Sequence, residues 1–434
     1  MDKTYSKDWY IENFSIMENG LNGESKSPFH KIRKDAIAEF DKMGFPTTKS
    51  EDWKYTNIAP IFNFKFIPAG NVKVTKNDIS KFLVKGLKVN LLVFVNGKFS
   101  KELSDIQNHT EGIKIDSLAN IIKSQPEILS EHFAKYTKND NGFIALNTAF
   151  AQDGFVIIIP GNVNIEEPVH ILNINGDAEN HVLSQPRNLV ITGKNSSVKI
   201  IETYHSISES ASFSNVVTEV VTGENSHAEL FKIQDENMSS FHINRTQVEQ
   251  KKNSTFTSYS ISLGNALTRN DINVVLNDEN ITSNLFGLYI TEGTQHVDNH
   301  TLIDHAKPHC RSNESYKGVL NDKSRGVFNG KVFVRQDAQK TNAYQSNKAI
   351  LLSKEATIDT KPQLEIYADD VKCSHGAAIG QLDEESVFYL RSRGIGEEQA
   401  RAVLIRAFAN DLFETIDSEP LHEHLNNLVF AKLK

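Results

Sequence analysis

Gly193-Lys194-Asn195-Ser196-Ser197-Val198 is followed 30 residues later by Gly223-Glu224-Asn225-Ser226-His227-Ala228. Lys251-Lys252-Asn253-Ser254-Thr255-Phe256 and Asn277-Asp278-Glu279-Asn280-Ile281-Thr282 continue the series. The asparagines at 195, 225, 253 and 280 stand 30, 28 and 27 residues apart, and the same step reaches Pro308, Ala338 and Asp370 with less sequence support. Short β-rich runs such as Phe155–Ile159, Asn188–Ile191 and Val198–Ile201 lie between the turns, and helical patterns are nearly absent for about 220 residues. A fixed period of polar turn plus short strand, without helices between, is the signature of a β-solenoid. Each coil stacks on the next at about 4.8 Å, so backbone groups pair above and below. A β-sandwich of regular hairpins is the other arrangement such turns allow, but the repeat lacks Asn-Gly hairpin dipeptides. The reading is a mainly β chain with a parallel β-helix core over 153–382.

The flanks differ. Residues 1–152 read as a mixed, largely helical region. Ser27 and Pro28 open a helix as cap and first-turn proline, and Phe29, Ile32, Ala36, Ile37 and Phe40 recur at helical spacing until Gly44. A strand over Val89–Val95 ends at the turn dipeptide Asn96-Gly97, and 116–135 and 142–151 read as helices. Residues 383–434 read as a helical cap for an open solenoid end. Asp383 caps a first helix that Gly394 stops. A second begins at Glu397-Glu398, with Ala400, Val403, Leu404, Ala407, Phe408 and Leu412 on one face. Ser418 and Pro420 open a third, with Leu421, Leu425 and Leu428.

Composition narrows the function classes. The chain has 434 residues, 47 Lys plus Arg against 55 Asp plus Glu, and a formal charge of −8. That balance argues against a phosphate-dominated nucleic-acid binder. No apolar run is long enough to span a bilayer, and Met1–Phe14 has no apolar core of a signal peptide. Two cysteines without an export signal imply a reducing cytoplasm. Gly193-Lys194 lacks the glycine spacing and the following Ser or Thr of a P-loop.

Two groups of side chains suggest metal chemistry. Cys373 and His375 stand at i and i+2, so a strand would point both to one face. A thiol and an imidazole are a soft ligand pair, but two ligands do not close a site. Their other reading is a packed thiol and a satisfied histidine. His296, Asp298, His300, His305, His309 and Cys310 form the second group. The first three alternate and would share a strand face, as metal ligands or as a polar face or subunit contact. Cys310 and Cys373 are 63 residues apart, about two coils. Two rungs of about 4.8 Å put them beyond disulfide reach.

Four segments carry a resemblance: Glu51-Asp52-Trp53-Lys54-Tyr55-Thr56, the run from Gln295 to Leu320, Thr341 to Lys348, and Val371 to Ile395. Over about residues 30 to 415 the chain resembles the SufB/SufD family of iron–sulfur cluster assembly subunits, on its SufD side. The resemblance implies a non-catalytic subunit of a complex with a SufB-like paralogue and a SufC-type ATPase. It implies a transient cluster shared with SufB at their interface, with His375 and Cys373 as ligand candidates and no cofactor on the isolated chain. Reduced flavin is reported for the family complex, but no flavin residues can be placed here. The SufB thiol credited with receiving sulfur falls where this chain has Leu390. The helical region is the family's SufC dock, which makes Phe388, Tyr389, Arg393, Ala400, Val403, Leu404 and Phe408 the docking candidates. A homodimer is expected when the chain is alone. The alternative from another class is a β-helix enzyme acting on carbohydrate.

Overall fold

The computed structural model describes residues 7–21, 28–68, 72–107, 112–177 and 179–433. The repeat asparagines are its turns. Asn195, Asn225, Asn253 and Asn280 all take left-handed backbone, with φ between 56° and 58°. Asparagine is among the few side chains that tolerate that region. Asn162 begins the series one coil earlier, and His309 and Lys340 continue it, so the extrapolated step falls one residue early at Pro308 and two early at Ala338. Asp370 does lie on the ladder, accepting from the Lys340 N–H at 2.7 Å. The asparagine side chains bond to one another along the stack. Asn195 Nδ2 donates to Asn162 Oδ1 at 2.8 Å and Asn225 Nδ2 to Asn195 Oδ1 at 2.7 Å. At Gly223 a Cβ would stand 2.6 Å from the Gly193 carbonyl carbon, so the close approach of coils here requires glycine.

Each coil gives one strand to each of two sheets. The first sheet runs from Phe155–Ile159 through Arg187–Thr192, Ser212–Thr222, Phe241–Gln250, Leu267–Leu276, His296–His305 and Arg325–Val334 to Thr357–Ile366. The second runs from Asn90–Val95 through Val169–Asn175, Ser197–Ser206, His227–Asp235, Thr255–Ser262, Thr282–Thr291, Arg311–Leu320 and Asn342–Leu351 to Lys372–Gly380. Pairing along both stacks is parallel and in register. One part of the interior is apolar, with Val198, Ile200, Leu230, Phe256 and Leu285 in one cluster. Another is a lane of paired polar groups. Lys232 lies 3.1 Å from Glu202 and donates to Asn244 at 2.6 Å, and Gln234 donates to Asn270 at 3.0 Å.

The N-terminal region seals the first coils and the adjoining outer face of the first sheet. Helix Pro28–Met43 runs as expected and ends at Gly44, whose φ is 63°. The expected Ser27 cap lies outside the described residues. Helix Lys7–Gly20, weakly amphipathic, has no counterpart in the sequence reading. The helix expected over 116–135 is instead the end of a strand, Lys114–Ser117, followed by Leu118–Ser124 and Pro126–His132. Pro126 cannot continue a helix, and Lys114–Ser117 pairs antiparallel with Phe155–Ile159.

The C-terminal helices are Glu384–Ser392, Glu397–Asn410 and Glu419–Ala431. Asp383 caps the first through the Glu385 N–H, and Gly394 ends it with φ 87°. The last two lie along the flank of the second sheet rather than over the open end. Ile201, Phe231, Ile233, Tyr259, Ile261 and Leu288 face outward there, and Ile405, Ala409, Leu412, Leu421, Leu425 and Val429 bury them. An apolar outer face demands such cover. The strand Lys372–Gly380 is almost wholly exposed. Among the described residues no helix is long and apolar enough to cross a membrane.

Candidate functional site

The strand His296–His305 does place His296, Asp298 and His300 on one outer face, as their alternation predicts. That face meets the segment 51–56. Thr56 Oγ1 donates to Asp298 Oδ2 at 2.5 Å and lies 2.9 Å from His296 Nε2. A hydroxyl has one proton, so His296 must donate through Nε2. Arg269 Nη1 donates to Asp298 Oδ2 and to the Asp52 carbonyl, both at 2.7 Å, and Nη2 lies 3.0 Å from Asp271. The guanidinium also covers the Trp53 ring at 3.8 Å. His300 Nε2 lies 3.0 Å from Asp298 Oδ1. Burial alone would raise the Asp298 carboxyl, but His300 and Arg269 hold it well below the usual carboxylate range. A guanidinium occupies the place a cation would take.

The remaining members of that group point elsewhere. His305 faces the core, 2.9 Å from Ser312 Oγ, and burial pushes it down to about 4. His309 is an exposed turn residue. Cys310 is buried, its thiol pushed up to about 11 by burial, and donates to the Asp278 carbonyl at 3.1 Å. Among the described residues, no three His, Cys, Asp or Glu side chains are arranged to hold a metal ion.

Cys373 and His375 lie on the last strand, Lys372–Gly380, which among the described residues pairs on one side only, with Asn342–Leu351. Inward positions of the paired strand are Ala343, Gln345, Asn347 and Ala349, so Cys373 and His375 share the inward-facing side at the open end. Cys373 is half-buried against Val332, Val334 and Ala343, and burial raises its thiol. A thiol raised this way is not poised as a free nucleophile. His375 is exposed. The two cysteines are free and two rungs apart, through Arg311–Asn342–Lys372.

The docking candidates divide between two faces. Phe388 is 71% exposed and Tyr389 57%, with Val403 and Arg393 also outward. Arg393 lies over the Tyr389 ring at 5.2 Å. Leu404 and Phe408 instead turn toward the solenoid flank, and Ala400 is buried. Lys317 anchors this packing, donating to the Phe408 carbonyl at 2.6 Å and bonding Asp411. Sequence reasoning did not single out Arg269, Lys317 or Gln345. Gln345, inside the 341–348 motif, and Lys317, inside the run from Gln295 to Leu320, carried a signal, whereas Arg269 carried none.

Comparison with known proteins agrees with this architecture. Residues 173–408 match the SufBD core domain of the SUF system for FeS cluster assembly, and residues 4–171 match the SufBD N-terminal region. An iron–sulfur cluster assembly SufBD family protein of Synechocystis is 34% identical over 95% of this chain and 93% of its own length. Escherichia coli SufD is 32% identical over 88% of each chain, and Bacillus subtilis SufD 25% over 93% of each. With both regions of the chain matched and relatives aligned along nearly their whole length, this protein belongs to the SufBD family of iron–sulfur cluster assembly proteins.

Proposed function

We propose that this chain is the SufD-type, non-catalytic subunit of a cytoplasmic SufB–SufC–SufD complex, with a transient cluster formed where its open solenoid end meets a SufB-like paralogue. One observation carries the reading. The last strand has an unpaired edge and presents His375 beside Cys373 on an exposed surface. An unpaired edge is a template for another chain's strand, and two soft ligands need partners from that chain to complete a site. His375 supplies an imidazole ligand, while Cys373 mainly packs. Leu390 stands where the paralogue offers its thiol, so that sulfur must come from the partner. A SufC-type ATPase docks on the outward side chains Phe388, Tyr389, Arg393 and Val403. The chain alone self-associates through the same edge and holds no cluster.

The test is co-expression with its SufB and SufC homologues, anaerobic purification, and iron and sulfide analysis. His375→Ala should leave the complex assembled and lower cluster content severalfold, with Cys373→Ala less harmful. Wild-type cluster content in the His375→Ala complex would overturn the assignment. A stable stoichiometric cluster on the isolated chain would show a complete site and refute the shared one.

A further inference from the structure

A column of polar side chains inside the solenoid ends beneath His375. Glu314, Gln345 and His375 stand at one register level on three successive strands of the second sheet. In-register parallel strands point equivalent side chains the same way, about 4.8 Å apart. Glu314 is wholly buried, and accepts from Thr301 Oγ1 and, at 2.7 Å, from Gln345 Nε2. Burial pushes its carboxyl up to about 7. Gln345 is also wholly buried, and among the described residues its Oε1 has no partner. A buried acceptor left unpaired is costly. Space for the carboxamide is made by Gly330, where a Cβ would stand 2.4 Å from Gln345 Nε2 and 2.7 Å from the Phe328 ring. An oriented, buried, unpaired oxygen lies one rung below an exposed imidazole.

We propose that Gln345 is a positioning residue for His375: its Oε1 accepts the imidazole N–H, and Glu314 sets the orientation of the carboxamide. The inference rests on the reading of His375 as a cluster ligand. With one ring N–H held, the lone pair of the other nitrogen has a fixed direction toward a metal. A carboxylate only accepts, so ionised Glu314 takes the Gln345 NH2 and leaves the carbonyl facing His375. Protonated Glu314 can donate, which lets the carboxamide turn and present its NH2 instead. The groups around Glu314 are Leu285 one rung below, Thr301 across the core, Gln345 above, and Ser312 and Tyr316 along its own strand, with His305 on Ser312. The hold on His375 therefore strengthens as Glu314 ionises.

The test uses the full chain labelled with 15N at histidine, with side-chain spectra recorded between pH 6 and 8 and the His375 signal assigned by its loss in His375→Ala. Wild type should favour one neutral tautomer about fivefold beyond free imidazole, the size one net hydrogen bond gives. Gln345→Met, which keeps length and removes the acceptor, should return the ratio to that of free imidazole. Gly330→Ala, which displaces the carboxamide without removing it, should do the same, and Glu314→Gln should give an intermediate ratio that no longer follows pH between 6 and 8. An unchanged ratio in folded Gln345→Met means that water satisfies Oε1 or nothing does, and overturns the proposal. Cluster content of the His375→Ala complex separates the two readings. A collapsed tautomer ratio in Gln345→Met with normal cluster content in the His375→Ala complex supports the contact and refutes His375 as a ligand.

Discussion

The strands His296–His305 and Lys372–Gly380 both carry ligand-type side chains at i, i+2 spacing, and they end in opposite conditions. On the first, Asp298 already faces Thr56, Arg269 and His300, and His296 is tied to Thr56. The arrangement fastens residues 51–56 to the solenoid. On the second, among the described residues, His375 is exposed on a strand with a free edge, over a buried oxygen that lacks a partner. Spacing is the same in both. What separates a fastening from an open site is whether neighbouring strands and loops have already paired the charges. Substitutions in and around the two strands test this difference.

The largest effect belongs to Arg269. Arg269→Met leaves Asp298 and Asp271 without their guanidinium in a buried setting. Breaking such a pair from one side costs about 3–5 kcal/mol, measurable by urea unfolding at pH 7. The acid limb should change too. Asp298 is held below its unfolded value of about 3.9, so its stabilisation is present above that pH and is lost as pH falls further. In Arg269→Met this loss should shrink. A cost under about 1 kcal/mol would mean the group is loose enough to be a site after all.

Next comes Glu314, beneath the open strand. Its folded value of about 7 exceeds the unfolded carboxylate value, so native protein holds the proton longer. Stability falls as pH rises from about 4.3 toward 7, a total of about 3 kcal/mol. Glu314→Gln removes that decline and should gain on wild type across this window, then plateau. His305, pushed down to about 4, contributes the opposite slope between about 4 and 6.5, but cancels in the difference between the two proteins. A pH-independent difference would show that Glu314 does not titrate there.

Thr56→Val is smaller. It removes a single hydroxyl from between His296 and Asp298, for about 1–2 kcal/mol, read from the same unfolding curves. A neutral result would show that 51–56 is held without it, by Trp53, Arg269 and the Glu51–Lys361 ion pair.

These contrasts also mark what was legible in the sequence. The solenoid was readable because its turns need left-handed backbone, and Asn195, Asn225, Asn253 and Asn280 announce it. Where His309 and Lys340 take that conformation instead, the period alone drifts by one or two residues. The shared face of His296, Asp298 and His300 followed from strand alternation. Its saturation did not, because Arg269 and Thr56 come from other coils and from the N-terminal region. The C-terminal helices were readable as amphipathic, but not the flank they cover, since Ile201, Phe231 and Leu288 on the solenoid select it. That packing also makes deletion of the helices an unsound test of docking. It would uncover the apolar flank, so substitutions at the exposed Phe388 and Tyr389 are the cleaner choice.

The smallest effect on the fold should come from His375→Ala. The side chain is exposed, on a strand paired on one side, and among the described residues it makes no ion pair. Its removal forfeits at most one net hydrogen bond to Gln345, about 1 kcal/mol or less. Thermal and urea unfolding of His375→Ala and wild type should therefore nearly coincide, while Arg269→Met falls far below both. In the assembled complex the ranking should invert, with His375→Ala losing most of its cluster and Thr56→Val keeping it. That inversion follows from the difference between the two strands. A group whose charges are paired within the chain contributes to stability, and one held open at an edge is free to bind what the partner brings. A His375→Ala protein as unstable as Arg269→Met would place His375 among the fastenings and remove the distinction.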